Sequence, residues 1–208
     1  MINIAVADDH AIVREGFKQI LSASDIHVTG EAETGQGLLD LVAQNEYDMV
    51  VLDISLPDRS GLDVLKELKK TNPQLPVLVL TMHAEEQYAL RVFKAGASGY
   101  LTKDSAPAML VSAIEKVTSG GKYVSHSLAE KLVLDIGDHG ARPLHETLSD
   151  REFQVLTNLA SGKTAGQIAT ELGLSVKTVS TYRTRILEKM HLRNNAELIH
   201  YAIQNKLV

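Results

Sequence analysis

The sequence predicts a doubly wound, five-stranded parallel α/β sheet followed by a small all-α domain holding a helix-turn-helix. Three observations lead there. Five short β-type runs alternate with helical segments over the first 120 residues, the pattern of repeated βαβ units. The central run, Met49-Val50-Val51-Leu52-Asp53-Ile54, is too apolar for a half-exposed strand and suits one covered on both faces. The last sixty residues instead carry four helix starts written in capping residues, two of them around a short turn.

The β-type runs are Ile2–Ala7, His27–Ala32, Met49–Ile54, Pro76–Met82 and Gly99–Lys103. Between them, Ile12, Val13, Phe17, Ile20 and Leu21 mark one helical face, and Leu38, Leu39, Leu41 and Val42 a second. Leu62, Leu65 and Leu68 mark a third, and Leu90, Val92 and Phe93 a fourth. A fifth helix is predicted over Pro107–Ser119, with Pro107 in its first turn. Gly120-Gly121 ends it, Leu128–Ile136 has the pattern of a short helix, and 137–143 has the turn-former density of a linker.

Composition narrows the function classes. The chain has 208 residues, 44% of them apolar, and no cysteine. Disulfides, thiol catalysis and cysteine-ligated zinc are therefore excluded. No run resembles a membrane span, and Met1 leads straight into strand-like sequence without a signal-peptide pattern, so a cytoplasmic protein without membrane partners is expected. The net charge of −5 hides an asymmetry: from Leu148 onward eight Lys/Arg face five Asp/Glu, leaving a balance of −8 before it. An acidic front and a basic tail suggest different partners, nucleic acid among those of the tail. His126, His139 and His145 match no standard metal-site spacing and are expected to be solvated.

In a doubly wound sheet, ligands bind outside the carboxyl ends of the strands. The first predicted strand ends in Asp8-Asp9, the third in Asp53, the fourth in Thr81 and the fifth in Lys103. Taken alone, Asp53 reads equally well as a cap for the next segment. Three carboxylates, a hydroxyl and an ammonium reaching one rim from four strands read differently. Clustered carboxylates raise one another's pKa unless a cation sits among them, and oxygen-only donors suit Mg²⁺. With Thr81 and Lys103 nearby, this is an inventory for phosphoryl transfer to the Asp53 carboxylate.

Ala7-Asp8-Asp9-His10, Leu52-Asp53-Ile54-Ser55-Leu56-Pro57, Leu80-Thr81 and Tyr100-Leu101-Thr102-Lys103 together resemble the receiver domain of two-component response regulators, a flavodoxin-like fold, over about residues 1–120. The resemblance implies that Asp53 is the phosphoacceptor, charged from a phosphohistidine on a sensor histidine kinase. It implies Mg²⁺ bound directly by Asp9, Asp53 and the backbone carbonyl of Ser55, and through water by Asp8. It also implies a switch pair, Thr81 and Tyr100. Receivers usually follow the lysine with a cis proline, whereas here Lys103 precedes Asp104. Ser55 and His83 occupy positions that vary among receivers, and His83 reads either as shaping access of the hydrolytic water or as a rim histidine with no kinetic role. An Asp-based phosphohydrolase is the rival, but Ser55 stands where such enzymes carry their general acid.

In the last segment, Ser149-Asp150-Arg151-Glu152 and Thr164-Ala165-Gly166-Gln167 read as capping boxes, Ser175 as a third cap and Asn194 as a fourth. On a wheel of the third helix, Val179, Ile186 and Met190 share the packing face. Lys177, Thr181, Thr184 and Glu188 lie opposite, flanked by Ser180 and Arg185. Short hydroxyl side chains near the helix start can approach base edges, and cations further along can meet phosphates.

Leu148-Ser149-Asp150-Arg151-Glu152, Ala160-Ser161-Gly162-Lys163, Ile168-Ala169 and Lys177-Thr178-Val179 resemble the LuxR-type DNA-binding domain over Leu148–Val208. With the front half, the chain is similar to response regulators of the NarL/FixJ class. The expected division is a receiver at 1–121, a linker at 122–147 and a DNA-binding domain at 148–208. By position in the family, Ser180, Thr181 and Thr184 are implied base readers, and Lys177, Arg183, Arg185 and Lys189 phosphate contacts. Tyr182 stands where many relatives have His. The whole would bind double-stranded DNA as a dimer across paired half-sites, with Asn194–Asn205 as a dimer surface or as closure of the domain core.

Overall fold

The computed structural model describes residues 1–82, 85–125, 129 and 143–208, with the side chains of residues 85–87 outside the description. The expectations for His83, His126, His139, the 128–136 helix and the 137–142 stretch fall outside the described residues. Two compact units emerge, 1–133 and 134–208, and each is treated by itself.

In the first unit, β1 (Ile2–Ala7), β2 (Ile26–Ala32), β3 (Met49–Asp53), β4 (Val77–Thr81) and β5 (Gly99–Thr102) form one parallel sheet in the order β2-β1-β3-β4-β5. The connecting helices are α1 (Ala11–Leu21), α2 (Gly35–Gln44), α3 (Gly61–Thr71), α4 (Glu85–Lys94) and α5 (Ala106–Thr118). Every residue of β3 and β4 is buried, as the continuous apolar runs require of strands covered on both faces. Strand side chains alternate, so Ile4, Val6, Met49, Val51, Leu78 and Leu80 share one core with Phe17 and Leu21 of α1 and Leu110 and Ile114 of α5. Pro107 lies in the first turn of α5, where its missing N–H costs nothing.

One helix face departs from the sequence pattern. Ile12, expected in the α1 core face, is 83% exposed, whereas Arg14 is only 8% exposed. Phe17 and Leu21 enter the core and Val13 and Ile20 pack half-buried against it, whereas Ile12 is turned to solvent.

The stretch after α5 does not leave the sheet at once. Tyr123 forms a parallel bridge with Gly99: its N–H donates to Ser98 O at 2.9 Å and its carbonyl accepts from Tyr100 N at 3.2 Å. Lys122 Nζ adds a bond to Ala97 O at 2.6 Å.

In the second unit a 3-10 turn (Leu144–Thr147) precedes α6 (Asp150–Ala160), α7 (Ala165–Glu171), α8 (Val176–Lys189) and α9 (Asn195–Gln204). All four caps form as expected. Ser149 and Thr164 close reciprocal capping boxes with Glu152 and Gln167, Ser175 accepts from Thr178 N, and Asn194 accepts from Glu197 N. Gly173, at φ +63°, takes the left-handed conformation that reverses the chain between α7 and α8. The core collects Phe153, Leu156, Ile168, Val179, Ile186, Met190, Leu198 and Ala202. His145, expected to be solvated, instead sits 3.0 Å from the Tyr201 hydroxyl through Nδ1 and packs beside Phe153, because the 3-10 turn folds back onto α6 and α9.

Candidate functional site

Strand register assembles the rim. Ala7 pairs with Leu52, so Asp8 emerges beside Asp53. Asp53 pairs with Leu80, which sets Thr81 one step beyond it, and Thr81 pairs with Thr102, which sets Lys103 one step further. The Lys103 N–H donates to Thr81 O at 2.9 Å, locking the last two strand ends together. Order reverses on either side of β1, so the rim opens at the switch point of the topology.

Asp53 is buried. Its Oδ1 accepts from the Ser55 N–H at 3.1 Å and its Oδ2 from Lys103 Nζ at 2.7 Å. Lys103 Nζ also lies 2.7 Å from Asp8 Oδ2, close enough for an ion pair but outside hydrogen-bond geometry. Asp8 Oδ2 is accordingly a buried side-chain oxygen with no hydrogen-bond partner. Burial pushes the Asp53 carboxyl above its ordinary pKa and the Asp8 charge adds to this, while Lys103 pulls it back. Burial works to lower the Lys103 pKa, but Asp53 and Asp8 outweigh it and hold the ammonium above its usual value. Lys103 is thus a fixed cation at neutral pH, with one lysine shared between two carboxylates.

Asp9, His10 and Asp8 complete the cluster with Asp53: one donor atom from each lies within 4.8 Å of the others. His10 Nδ1 stands 2.7 Å from Asp9 Oδ1, and the His10 N–H donates to Asp8 Oδ1 at 2.9 Å. The donor set and the unsatisfied Asp8 oxygen fit a hard divalent cation. Thr81 and Tyr100 are both buried on neighbouring strands. No cis peptide bond occurs among the described residues, so the bond from Lys103 to Asp104 is trans.

The loop after Asp53 is held at two points. Gly61 opens α3 against the β3 end, where an added Cβ would stand 2.1 Å from the Asp53 carbonyl oxygen, so no side chain fits. Asp58 reaches across to the start of α2, accepting from Gly35 N at 2.8 Å and Gln36 N at 2.9 Å. Although burial acts the other way, these N–H bonds hold the Asp58 carboxyl below its ordinary pKa. Sequence reasoning missed Asp58, Arg14 and His10. His10 was discoverable from its place beside Asp8-Asp9; the carboxylate partners of Arg14 and the backbone partners of Asp58 across the loop are 17 or more residues away and leave no local signal.

In the second unit, Lys177, Ser180, Thr181, Thr184, Arg185 and Lys189 are exposed on α8, with Val179, Ile186 and Met190 buried behind them. The Thr181 and Thr184 hydroxyls donate back to Lys177 O and Ser180 O, at 3.0 and 3.1 Å. Two of the expected phosphate cations already have protein partners. Arg183 Nε donates to Asn195 Oδ1 at 2.5 Å, and Lys189 Nζ donates to Glu152 Oε2 at 2.7 Å. Glu152 is 3% exposed and also accepts from the Ser149 N–H, so Lys189 neutralises a buried capping carboxylate.

Residues 4–115 match the response regulator receiver domain, and residues 146–202 match the luxR family of bacterial regulatory proteins. The response regulator UvrY of Escherichia coli is 35% identical, over 100% of this chain and 96% of that protein. The oxygen regulatory protein NreC of Staphylococcus carnosus is 34% identical, over 100% and 99%. Among solved structures, RcsB of Salmonella enterica serovar Typhimurium, bound to promoter P1flhDC with the phosphomimetic BeF3⁻, is 28% identical. It superposes with a TM-score of 0.64 over 96% of this chain and 97% of that one.

Proposed function

The chain belongs to the response regulators that join a receiver domain to a LuxR-type DNA-binding domain, and from that premise we propose that phosphorylation of Asp53 controls its binding to DNA. The observation that carries the reading is the buried Asp53 carboxylate sharing Lys103 with Asp8 beneath a partly exposed Asp9.

In the proposed reaction, an Asp53 oxygen attacks the phosphorus of a phosphohistidine on a sensor histidine kinase. The O–P bond forms as the N–P bond breaks, and the imidazole leaves with the electron pair. Asp8, Asp9, Asp53 and the Ser55 carbonyl would hold Mg²⁺, which when bound offsets the carboxylate charge and attracts phosphoryl oxygens. Lys103 is placed to follow the transferred group, because it already spans Asp53 and Asp8. Thr81 offers a hydroxyl to the new phosphoryl oxygens, and Tyr100 on the adjoining strand answers its movement. The added charge biases two receiver conformations. The only covalent chemistry proposed is self-phosphorylation from the kinase and self-dephosphorylation.

The output is transcription regulation by α8 in a major groove. Ser180, Thr181 and Thr184 read base edges, while Lys177 and Arg185 contact phosphates. Arg183 and Lys189 reach phosphate only by sharing or leaving Asn195 and Glu152. A homodimer on paired half-sites of double-stranded DNA is proposed, since one module of this size has limited affinity. RcsB bound to a promoter supports the reading by similarity. The working division is 1–121, 122–147 and 148–208, in a cytoplasmic protein; no described helix is long and apolar enough to cross a membrane.

The test uses wild type and Asp53→Asn with a small-molecule phosphodonor, with and without Mg²⁺, followed by genome-wide mapping of bound DNA. Wild type is expected to gain one acid-stable, base-labile phosphoryl group and new sites, and Asp53→Asn neither. Equal phosphorylation or equal occupancy for the two would refute it.

A further inference from the structure

Arg14 is a cation in a place where α1 otherwise sends Phe17 and Leu21 into the core. Burying a guanidinium there is costly unless its donors are all used. Nη1 donates to the Asp8 carbonyl oxygen at 2.6 Å, Nη2 to Glu33 Oε1 at 2.7 Å and Nε to Glu31 Oε2 at 3.2 Å. The carbonyl it grips belongs to the peptide bond joining Asp8 to Asp9. The other side of Asp8 is held as well, because its N–H donates to Ala32 O at 3.1 Å. The backbone from which both carboxylates project is therefore pinned from the β2 edge and from α1. Lys18 stands outside this clamp, pairing with Glu31 Oε1 at 2.7 Å without touching Asp8.

We infer that Arg14 is a positioning residue for the divalent-cation site: it fixes the Asp8–Asp9 peptide plane and so the aim of both carboxylates. The inference rests on the reading of the rim as a cation site. The fork is what a lysine lacks. A single ammonium can meet the Asp8 carbonyl or a glutamate, but it cannot orient one against the other. Groups behind metal ligands fix ligand orientation in this way, and their loss typically weakens metal affinity about 10–100-fold.

The test is an NMR titration of the full chain with MgCl₂, following the backbone amides of Asp9 and Ser55. Wild type should saturate; failure to do so would remove the cation-site reading itself and this inference with it. Arg14→Lys should bind Mg²⁺ about tenfold more weakly. Its phosphorylation at Asp53 should be slow at low Mg²⁺ and recover when Mg²⁺ is raised, which a general loss of structure would not produce. Lys18→Met, which removes the outer ion pairs to Glu15 and Glu31 but no contact to Asp8, should leave the Mg²⁺ affinity unchanged. Wild-type affinity in Arg14→Lys, or an equal loss in Lys18→Met, overturns the inference. Should Arg14→Lys fail to fold, Glu33→Met decides. It removes the acceptor of one arm of the fork at an exposed position, and unchanged Mg²⁺ affinity there overturns the inference too.

Discussion

The strand-end rim and α8 both gather polar groups for a phosphate-bearing partner, yet they are built in opposite ways. The rim buries Asp8 and Asp53 around one shared lysine, and Asp8 Oδ2 has that ion pair but no hydrogen bond. The α8 surface is exposed, its hydroxyls satisfied by its own backbone and two of its cations by neighbouring helices. A small charge change should therefore act strongly at the rim and only incrementally on α8. Screening is the physical reason: buried charges interact at low effective dielectric, while exposed ones are damped by water and salt.

The contrast is broken most directly at Lys103. Lys103→Met leaves Asp53 and Asp8 facing one another without their shared cation. Acyl-phosphate formation from a small-molecule donor should fall about 10²–10³-fold, read as phosphoryl incorporation over time. A loss of only a few-fold would mean that the rim is no more pre-organised than α8.

On α8 the cations should separate into two kinds. Lys189→Met strips Glu152 of its partner. Because the lysine is 42% exposed, the expected loss is modest, about 1 kcal/mol in chemical denaturation. Lys177→Met abandons no such partner among the described residues; it should leave stability unchanged and reduce the salt slope of DNA binding by about 1. Similar stability losses in both would erase the distinction. Thr181→Ala should shift preference at particular base pairs by about 1 kcal/mol, as measured on a panel of operator variants.

A smaller effect compares one carboxylate from each region. Asp58 and Glu152 are both held below their ordinary pKa. Burial opposes this in each; the Gln36 and Gly35 N–H groups win at Asp58, and Lys189 with Ser149 at Glu152. A depressed folded pKa means that the unfolded chain binds more protons, so stability rises with pH. The contribution is full above about pH 4–5, where the unfolded carboxylates are ionised, and is lost as pH falls through the folded values. Asp58→Asn and Glu152→Gln should each flatten the acid limb of stability against pH; an unchanged limb in either would show that its carboxylate contributes nothing. Asp58→Ala should also cost about 1 kcal/mol at neutral pH, as for loss of a helix cap.

How far the sequence reached follows the range of the interactions concerned. Alternating runs and local caps encode themselves: β3 is buried throughout because Met49–Leu52 contains nothing polar, and Ser149 and Thr164 find partners three residues away. The rim was legible because parallel strands always end at the same edge, which brings Asp8, Asp53, Thr81 and Lys103 together without any knowledge of packing. The helical wheel of α8 placed Val179, Ile186 and Met190 correctly for the same local reason, but on α1 it misplaced Ile12. Periodicity does not say how wide the buried face of a helix is: Val13 packs against the core while Ile12 beside it faces solvent.

The alternation of strands and helices, the charge pattern, the helix starts and the identity of the rim residues were thus determined by the sequence alone, since each depends on composition or on spacing within a few residues. Tertiary structure decided who holds whom: Lys103 between Asp53 and Asp8, Arg14 on the peptide joining the two acids, Asp58 on the start of α2, Lys189 on Glu152. Long side chains choose partners by distance and desolvation after the core has formed, and neither quantity exists until the chain has folded.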